Sequence, residues 1–197
     1  MVMALARETN DATDSAEAER DFQEQLATVS EMDVPGFNVE VFGGNIVVSP
    51  FSRWSYFEPL EAALEQLRQH APEGFRASGT SFKFVFPASH GALGPDLYVV
   101  DPALAINDTP LAPCESLALV GEMTSTATRR NDLTSKLDIY GRVVPVYLLF
   151  DMKERRLTVY SDPSERGYQT QTTIEFGKPV RIPAPFDFEL DTSAFSS

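Results

Sequence analysis

The stretch LALVGEMTSTATRRNDLTSKLDIYG, Leu117 to Gly141, constrains the fold more than any other part of the chain. It opens as an apolar run of the kind a buried strand uses, Leu117 to Val120, and stops at a lone carboxylate, Glu122. It then turns polar, basic and helix-like, with Lys136 well inside the helical part. A bare charge at the edge of a core loses its hydration without gaining a partner, so the pattern demands compensation from elsewhere in the chain. After it comes VPVYLLFD, the most hydrophobic run in the sequence, which predicts a strand at the centre of a sheet.

Around this segment the periodicity changes repeatedly. DFQEQLATVSEM spaces Phe22, Leu26 and Val29 as a short amphipathic helix, ended by Pro35 and Gly36. FNVEVFGGNIVVSP predicts a hairpin turning at Gly43-Gly44-Asn45, with Glu40 facing the opposite side of its strand from Val39 and Val41. SYFEPLEAALEQLRQH predicts the best helix, with Phe57, Leu60, Leu64 and Leu67 in one stripe and Pro59 in the first turn. Trp54, Tyr56 and Phe57 are assigned to core packing at the helix start rather than to a base-stacking platform. FRASGTSFKFVFP and PDLYVVDP read as strands separated by the loop ASHGALG, and PALAINDTPLAPCE as a Pro-punctuated loop. A helix is predicted over Arg130 to Gly141, then strands LTVYSD and YQTQTTIEF, the latter half-exposed. VRIPAPFDFELDTSAF is extended and broken by prolines. The element order defines an α/β (α+β) chain, a mixed β-sheet flanked by helices with an N-terminal hairpin. A single domain is expected over 21–197, after an acidic leader over 1–20 whose lack of apolar periodicity predicts disorder.

Composition removes several classes of function. One cysteine, Cys114, excludes an internal disulfide, and two histidines with one cysteine leave no zinc-finger framework. No apolar stretch approaches the ~20 residues of a membrane helix, and the opening MVMALARETN is too short in apolar residues for a signal peptide. A soluble, cytoplasmic protein is expected. Net charge is −13, so polyanions are not bound through the overall field. Residues 1–33 hold nine acids and two bases, which is −7 of that total, so a basic patch must be local. No phosphate-binding loop or dinucleotide fingerprint occurs. Ser89 and His90 lack the G-x-S-x-G elbow of a hydrolase triad, which leaves His90 as a polar loop residue.

Three strand-associated acids remain: Glu40, Asp96 and Glu122. Asp96 follows Pro95 at the entrance to one strand, and Glu122 lies at the exit of another. If those strands are neighbours, the two carboxylates converge, and a hard divalent cation is the usual way to keep both ionised. Lys136 folded back beside such a cation would hold a nucleophilic water or neutralise a pentacoordinate phosphate. Taken singly, each has an ordinary reading. Glu122 can be a first-turn helix acid, Lys136 a solvated helix residue, and Glu40 a cross-strand ion-pair partner. Their order along the chain makes the site.

GPDLYVV, then LVGEMTS, then the lysine and tyrosine of NDLTSKLDIYG, then VPVYLLFD resemble the PD-(D/E)XK nuclease superfamily, and more narrowly its Uma-type restriction endonuclease family. The similarity runs from VEVFGGNIVVSP to FDFELDTSAF. It implies a restriction-endonuclease-like core and magnesium-dependent hydrolysis of DNA phosphodiesters, with Mn2+ able to replace Mg2+, in a homodimer. By position it makes Asp96 and Glu122 the metal ligands, helped by the backbone carbonyl of Met123, Lys136 a lysine displaced onto the helix, and Glu40 the additional acid of the hairpin. Arg129 and Arg130, which flank the site helix, and Arg53 are the candidate DNA contacts. The chain departs from the family pattern in three places. The strand lysine of the parent motif would fall at Thr124, SPFSRWSYF has Arg53 and Trp54 where relatives often carry a histidine, and VGEMTSTAT stands for the common VEVLSPST. Two alternatives stay open: a catalytically silent binding module of the same fold, and recruitment of the pocket to small-molecule biosynthesis.

Overall fold

A computed structural model describes residues 3–32, 34–35, 37–50, 53–104, 111–124 and 129–196. In chain order these form helix α1 (Met3–Glu31), strands β1 (Phe37–Phe42) and β2 (Asn45–Pro50), and a 3-10 turn (Trp54–Tyr56) leading into α2 (Phe57–His70). Next come β3 (Arg76–Ser78), β4 (Lys83–Phe86), β5 (Gly91–Leu93), β6 (Leu97–Val100), β7 (Leu111–Pro113) and β8 (Leu117–Thr124). Two short helices follow, α3 (Arg129–Leu133) and α4 (Ser135–Tyr140). The remaining strands are β9 (Val146–Asp151), β10 (Arg156–Ser161), β11 (Thr170–Glu175), β12 (Val180–Ile182) and β13 (Phe188–Leu190).

β8 and β9 pair in parallel at the middle of a six-stranded sheet ordered β11-β10-β9-β8-β6-β3, whose other pairings are antiparallel. Every residue of both central strands is buried, which is why their sequences are near-continuous apolar runs. A five-stranded sheet, β2-β1-β5-β4-β7, packs over one face. Between the sheets Tyr98, Val120, Tyr147 and Leu149 meet Phe42, Phe84 and Phe86, with Ile139 and Tyr140 from α4. The opposite face carries Ala63, Leu64 and Leu67 of α2 and the hairpin residues Ile182, Phe188 and Leu190, packed on Leu119, Leu148 and Phe150. Phe22, Leu26 and Val29 of α1 cover the outer side of β1 at Val39 and Val41.

The mixed sheet, flanking helices and N-terminal hairpin agree with the expected α+β class. The hairpin turns on Gly43 and Gly44 at φ 60° and 69°, the left-handed pair that a two-residue loop requires. Several local expectations are corrected. Helical backbone extends back to Met3 instead of starting near Phe22, in a stretch free of Pro and Gly and rich in Ala and Glu. The Pro35-Gly36 helix stop falls partly outside the described residues, as do residues 105–110 of the predicted loop over 102–115, whose end forms β7 and a 3-10 turn (Cys114–Ser116) instead. FRASGTSFKFVFP divides into β3 and β4, which lie in different sheets, and the ASHGALG loop contains β5, paired with both β1 and β4. The helix predicted over 130–141 is two pieces, separated at Thr134 with φ −126° and ψ −82°. Phe57 is not in the core stripe of α2, where Pro59, Ala63, Leu64 and Leu67 are buried instead.

Candidate active site

β6 and β8 are antiparallel neighbours, and Leu97 pairs with Gly121. The entrance of β6 therefore lies beside the exit of β8, and Asp96 comes level with the Glu122–Met123 peptide. The β6 ladder has ended here, and the Asp96 carboxylate takes its place: the Met123 N–H donates to Asp96 Oδ2 at 2.7 Å. Glu122 points from β8 into the layer between the sheets. Glu40 enters that layer from β1, because Val39 and Val41 are committed to the α1 side of the strand. Its Oε1 accepts the Gly94 N–H at 2.9 Å.

Lys136 joins these acids. Its Nζ lies 3.0 Å from Glu40 Oε1, 3.1 Å from Glu122 Oε1 and 3.7 Å from Asp132 Oδ1. All four side chains are buried, Lys136 at 5% exposure and Glu122 at 3%. Burial works against the ammonium, but Glu122, Glu40, Asp132 and Asp96 outweigh it and hold the Lys136 pKa well above the ordinary lysine value. Glu122 is pushed well above the ordinary carboxylate range, first by burial and then by the other acids, against the pull of Lys136. One ammonium does not neutralise that many carboxylates, which is why Glu122 stays above the ordinary range despite its contact with Lys136. The Tyr140 hydroxyl donates to Glu122 Oε1 at 2.7 Å, and burial raises its own pKa strongly. The lone acid at the end of the buried strand thus has two partners, an ammonium and a phenol, both delivered by the segment that follows it.

Glu40, Glu122 and Lys136, expected from the sequence, lie in contact, with Asp96 on the adjoining strand. Two members of the cluster were not anticipated. Asp132 is 1% exposed and its backbone carbonyl accepts the Tyr147 hydroxyl at 3.2 Å. Tyr140, an aromatic whose sequence setting indicates packing alone, also binds Glu122. Asp132, Lys136 and Tyr140 recur at intervals of four, one face of a helical segment, and that spacing was the available signal. The arginines are dispersed. Arg129 Nη2 and Nε lie 2.8 and 3.0 Å from Asp151 Oδ2, while Arg130 and Arg53 are exposed. Thr124, at the position of the parent motif's lysine, is 1% exposed, and its hydroxyl has no hydrogen-bond partner among the described residues. His90 meets the Phe22 ring in a tilted contact, centroids 5.3 Å apart and planes at 50°, and lies 3.4 Å from Glu19, so it serves the docking of α1.

A cleft of about 330 Å3 opens onto Glu40 and Asp96. The donors here are all oxygen, suited to a hard cation that takes one or two carboxylates and keeps its waters. No three of His, Cys, Asp and Glu among the described residues are grouped to hold an ion unaided. Asp96 and Glu122 sit beside the paired residues Leu97 and Gly121 of neighbouring strands. No helix among the described residues is long and apolar enough to cross a membrane.

The fold and site define a restriction-endonuclease-like α+β protein with an acid–lysine cluster at the edge of its central parallel pair. Residues 21–193 match the Uma2 family, described as "Putative restriction endonuclease", and the chain belongs to that family. Its fold is similar to the crystal structure of a putative nuclease belonging to DUF820 from Anabaena variabilis ATCC 29413, with a TM-score of 0.67 at 16% identity. That similarity covers 89% of this chain and 97% of the other. A weaker likeness, TM-score 0.30 at 15% identity, links 48% of this chain to 47% of apo NucC from E. coli MS115-1. No curated protein matches the sequence.

Proposed function

We propose that the protein is a magnesium-dependent endonuclease hydrolysing DNA phosphodiesters from a single domain over 21–197, in the cytoplasm, as a homodimer. One observation carries the reading: the Lys136 ammonium is held at 3.0 and 3.1 Å between Glu40 and Glu122, with Asp96 at the end of the neighbouring strand. Asp96, Glu122 and the Met123 carbonyl would hold the cation, which supplies charge stabilisation to phosphoryl oxygens and lowers the pKa of water; Mn2+ suits the same donors. Lys136 orients the attacking water and stabilises negative charge developing at phosphorus. Glu40 positions Lys136, and Tyr140 positions Glu122. Arg130 and Arg53 are exposed and suited to phosphate contacts, and Arg129 reaches the substrate only by leaving Asp151.

A second reading is a silent binding module of the same fold. It is favoured by the double engagement of Glu122 Oε1, to Lys136 and Tyr140 at once. Cleavage of supercoiled and linear DNA with magnesium or manganese, run beside Glu122→Ala and Lys136→Ala, separates the two. Metal-dependent cleavage above both variants supports the nuclease; its absence leaves the binding module.

A further inference from the structure

The cleft that reaches Glu40 and Asp96 has a single basic residue, Lys83, among the described residues of its lining. Phe37 and Phe82 line it, 44% and 47% exposed, together with Leu60 and Lys83. Leu60 is also the inner end of a row. Trp54, Phe57 and Leu60 recur at intervals of three through the continuous helical stretch 54–70, which places successive side chains about 5–6 Å apart on one face. Trp54 is 82% exposed and stacks on Phe57 with ring centroids 4.8 Å apart and planes 5° from parallel. The expectation that these aromatics fill the core at the helix start is overturned, and only Tyr56 packs inward. A flat, solvent-facing ring pair thus continues into an aromatic-lined cleft that ends on the acid cluster.

Duplex DNA hides its bases and is held chiefly by many phosphate contacts from Lys and Arg. A chain of net charge −13, with Lys83 in the cleft and Arg53 exposed beside Trp54, is poorly suited to that mode. Unpaired bases stack on aromatic rings and need fewer cations. We infer that the cleft takes single-stranded DNA, one unpaired base lying against Phe37 and Phe82 and a neighbouring base on the Trp54–Phe57 stack. The choice of DNA rests on the nuclease reading above; the preference for unpaired bases rests on the aromatic surface alone.

Trp54 is the single tryptophan of the chain, so intrinsic fluorescence reports on the stack directly. In EDTA, titration with oligo-dT is expected to quench Trp54 emission and to give at least about tenfold tighter binding than a duplex of equal length. Phe37→Ala and Phe82→Ala, at exposed positions, should each weaken oligo-dT binding about tenfold with unchanged far-UV circular dichroism. Trp54→Ala, followed by anisotropy of a labelled oligonucleotide, should do the same. Duplex binding as tight as oligo-dT, or affinities unmoved by all three substitutions, overturns the inference. Tighter binding of oligo-U overturns the choice of DNA. Sedimentation in which Trp54→Ala converts a dimer to a monomer, without quenching by oligo-dT, assigns the surface to a second copy and also overturns it. Aromatic-dependent binding without metal-dependent cleavage would instead defeat the nuclease reading and leave this one standing.

Discussion

Gly121 and Leu97 face each other across the β6–β8 ladder so closely that a Cβ on Gly121 would stand 2.7 Å from Leu97 Cδ1 and 2.8 Å from its Cγ. Each is the chain neighbour of a site acid, Glu122 and Asp96. The spacing of the two carboxylates therefore depends on a missing side chain. Leu97 is fully buried, so its branch point has no free volume to retreat into. Gly121→Ala is expected to cost about 1–3 kcal/mol, as overpacked core sites do. It should also depress activity out of proportion to stability, because β6 must shift at Asp96. Urea unfolding beside cleavage at a permissive temperature tests this. A variant of reduced stability with full activity would show that the spacing is not tuned here.

How much of this was legible from the residues follows from what each one does. Asp96 and Glu122 could be found because strand ends are marked by Pro95 and by the abrupt end of an apolar run, and antiparallel pairing then brings the ends together. The direction of Glu40 followed from strict alternation in β1. Tyr140 was missed because an aromatic in an apolar segment satisfies a packing reading even when its hydroxyl also binds an acid. Trp54 was missed for the converse reason. Its sequence neighbours Tyr56 and Leu60 pack on the core, and nothing local distinguishes an outward ring from an inward one. β5 has three residues and no period to read, so only its pairing with β1 and β4 reveals it. The break at Thr134 lacks the Pro or Gly that would announce it.

Arg129 and Asp151 give a pH-dependent signature through an ion pair of their own, distinct from those of Lys136. Burial alone would raise the Asp151 pKa, but the Arg129 hydrogen bonds and the Glu154 N–H hold it below the ordinary 3.8. An acid with a lowered folded-state pKa contributes stability above its unfolded value, and that contribution is lost as pH falls through the folded value. Arg129→Ala should therefore be less stable than the parent at neutral pH, with the gap closing below about pH 3.8, the ordinary value. Thermal melts across the acid range would show it. A gap that stays constant into that range would mean Arg129 acts by packing alone.

Cys114 is 2% exposed, and burial, reinforced by Glu115, pushes its thiol up to about 12. The thiolate is the reactive form, so the native protein should resist maleimide or disulfide reagents at pH 8. Modification should appear only on unfolding, at a rate that follows denaturant and temperature as global opening does. Rapid labelling under native conditions would show that the segment around β7 opens independently of the core.

Lys136 is the counter-charge of the whole site, and removing it strands several buried acids. Lys136→Met keeps most of the side-chain volume while deleting the ammonium, so its cost reads charge rather than cavity. Breaking a buried ion pair by removing one partner typically costs about 3–5 kcal/mol, and that is the expected loss at neutral pH. Pairing it with Glu122→Gln, which removes one stranded carboxylate while retaining an acceptor for the Tyr140 hydroxyl, should recover part of the loss. The double-mutant cycle would then give a coupling energy of at least about 1 kcal/mol. On the proposed nuclease reading both variants should be inactive, because each lacks a group that reading assigns to the hydrolysis. Additive stability effects would place the pair among contacts that are geometrically close but energetically independent. Cleavage surviving in Lys136→Met would remove the lysine from the chemistry and leave it only the work of holding Glu40 and Glu122 together.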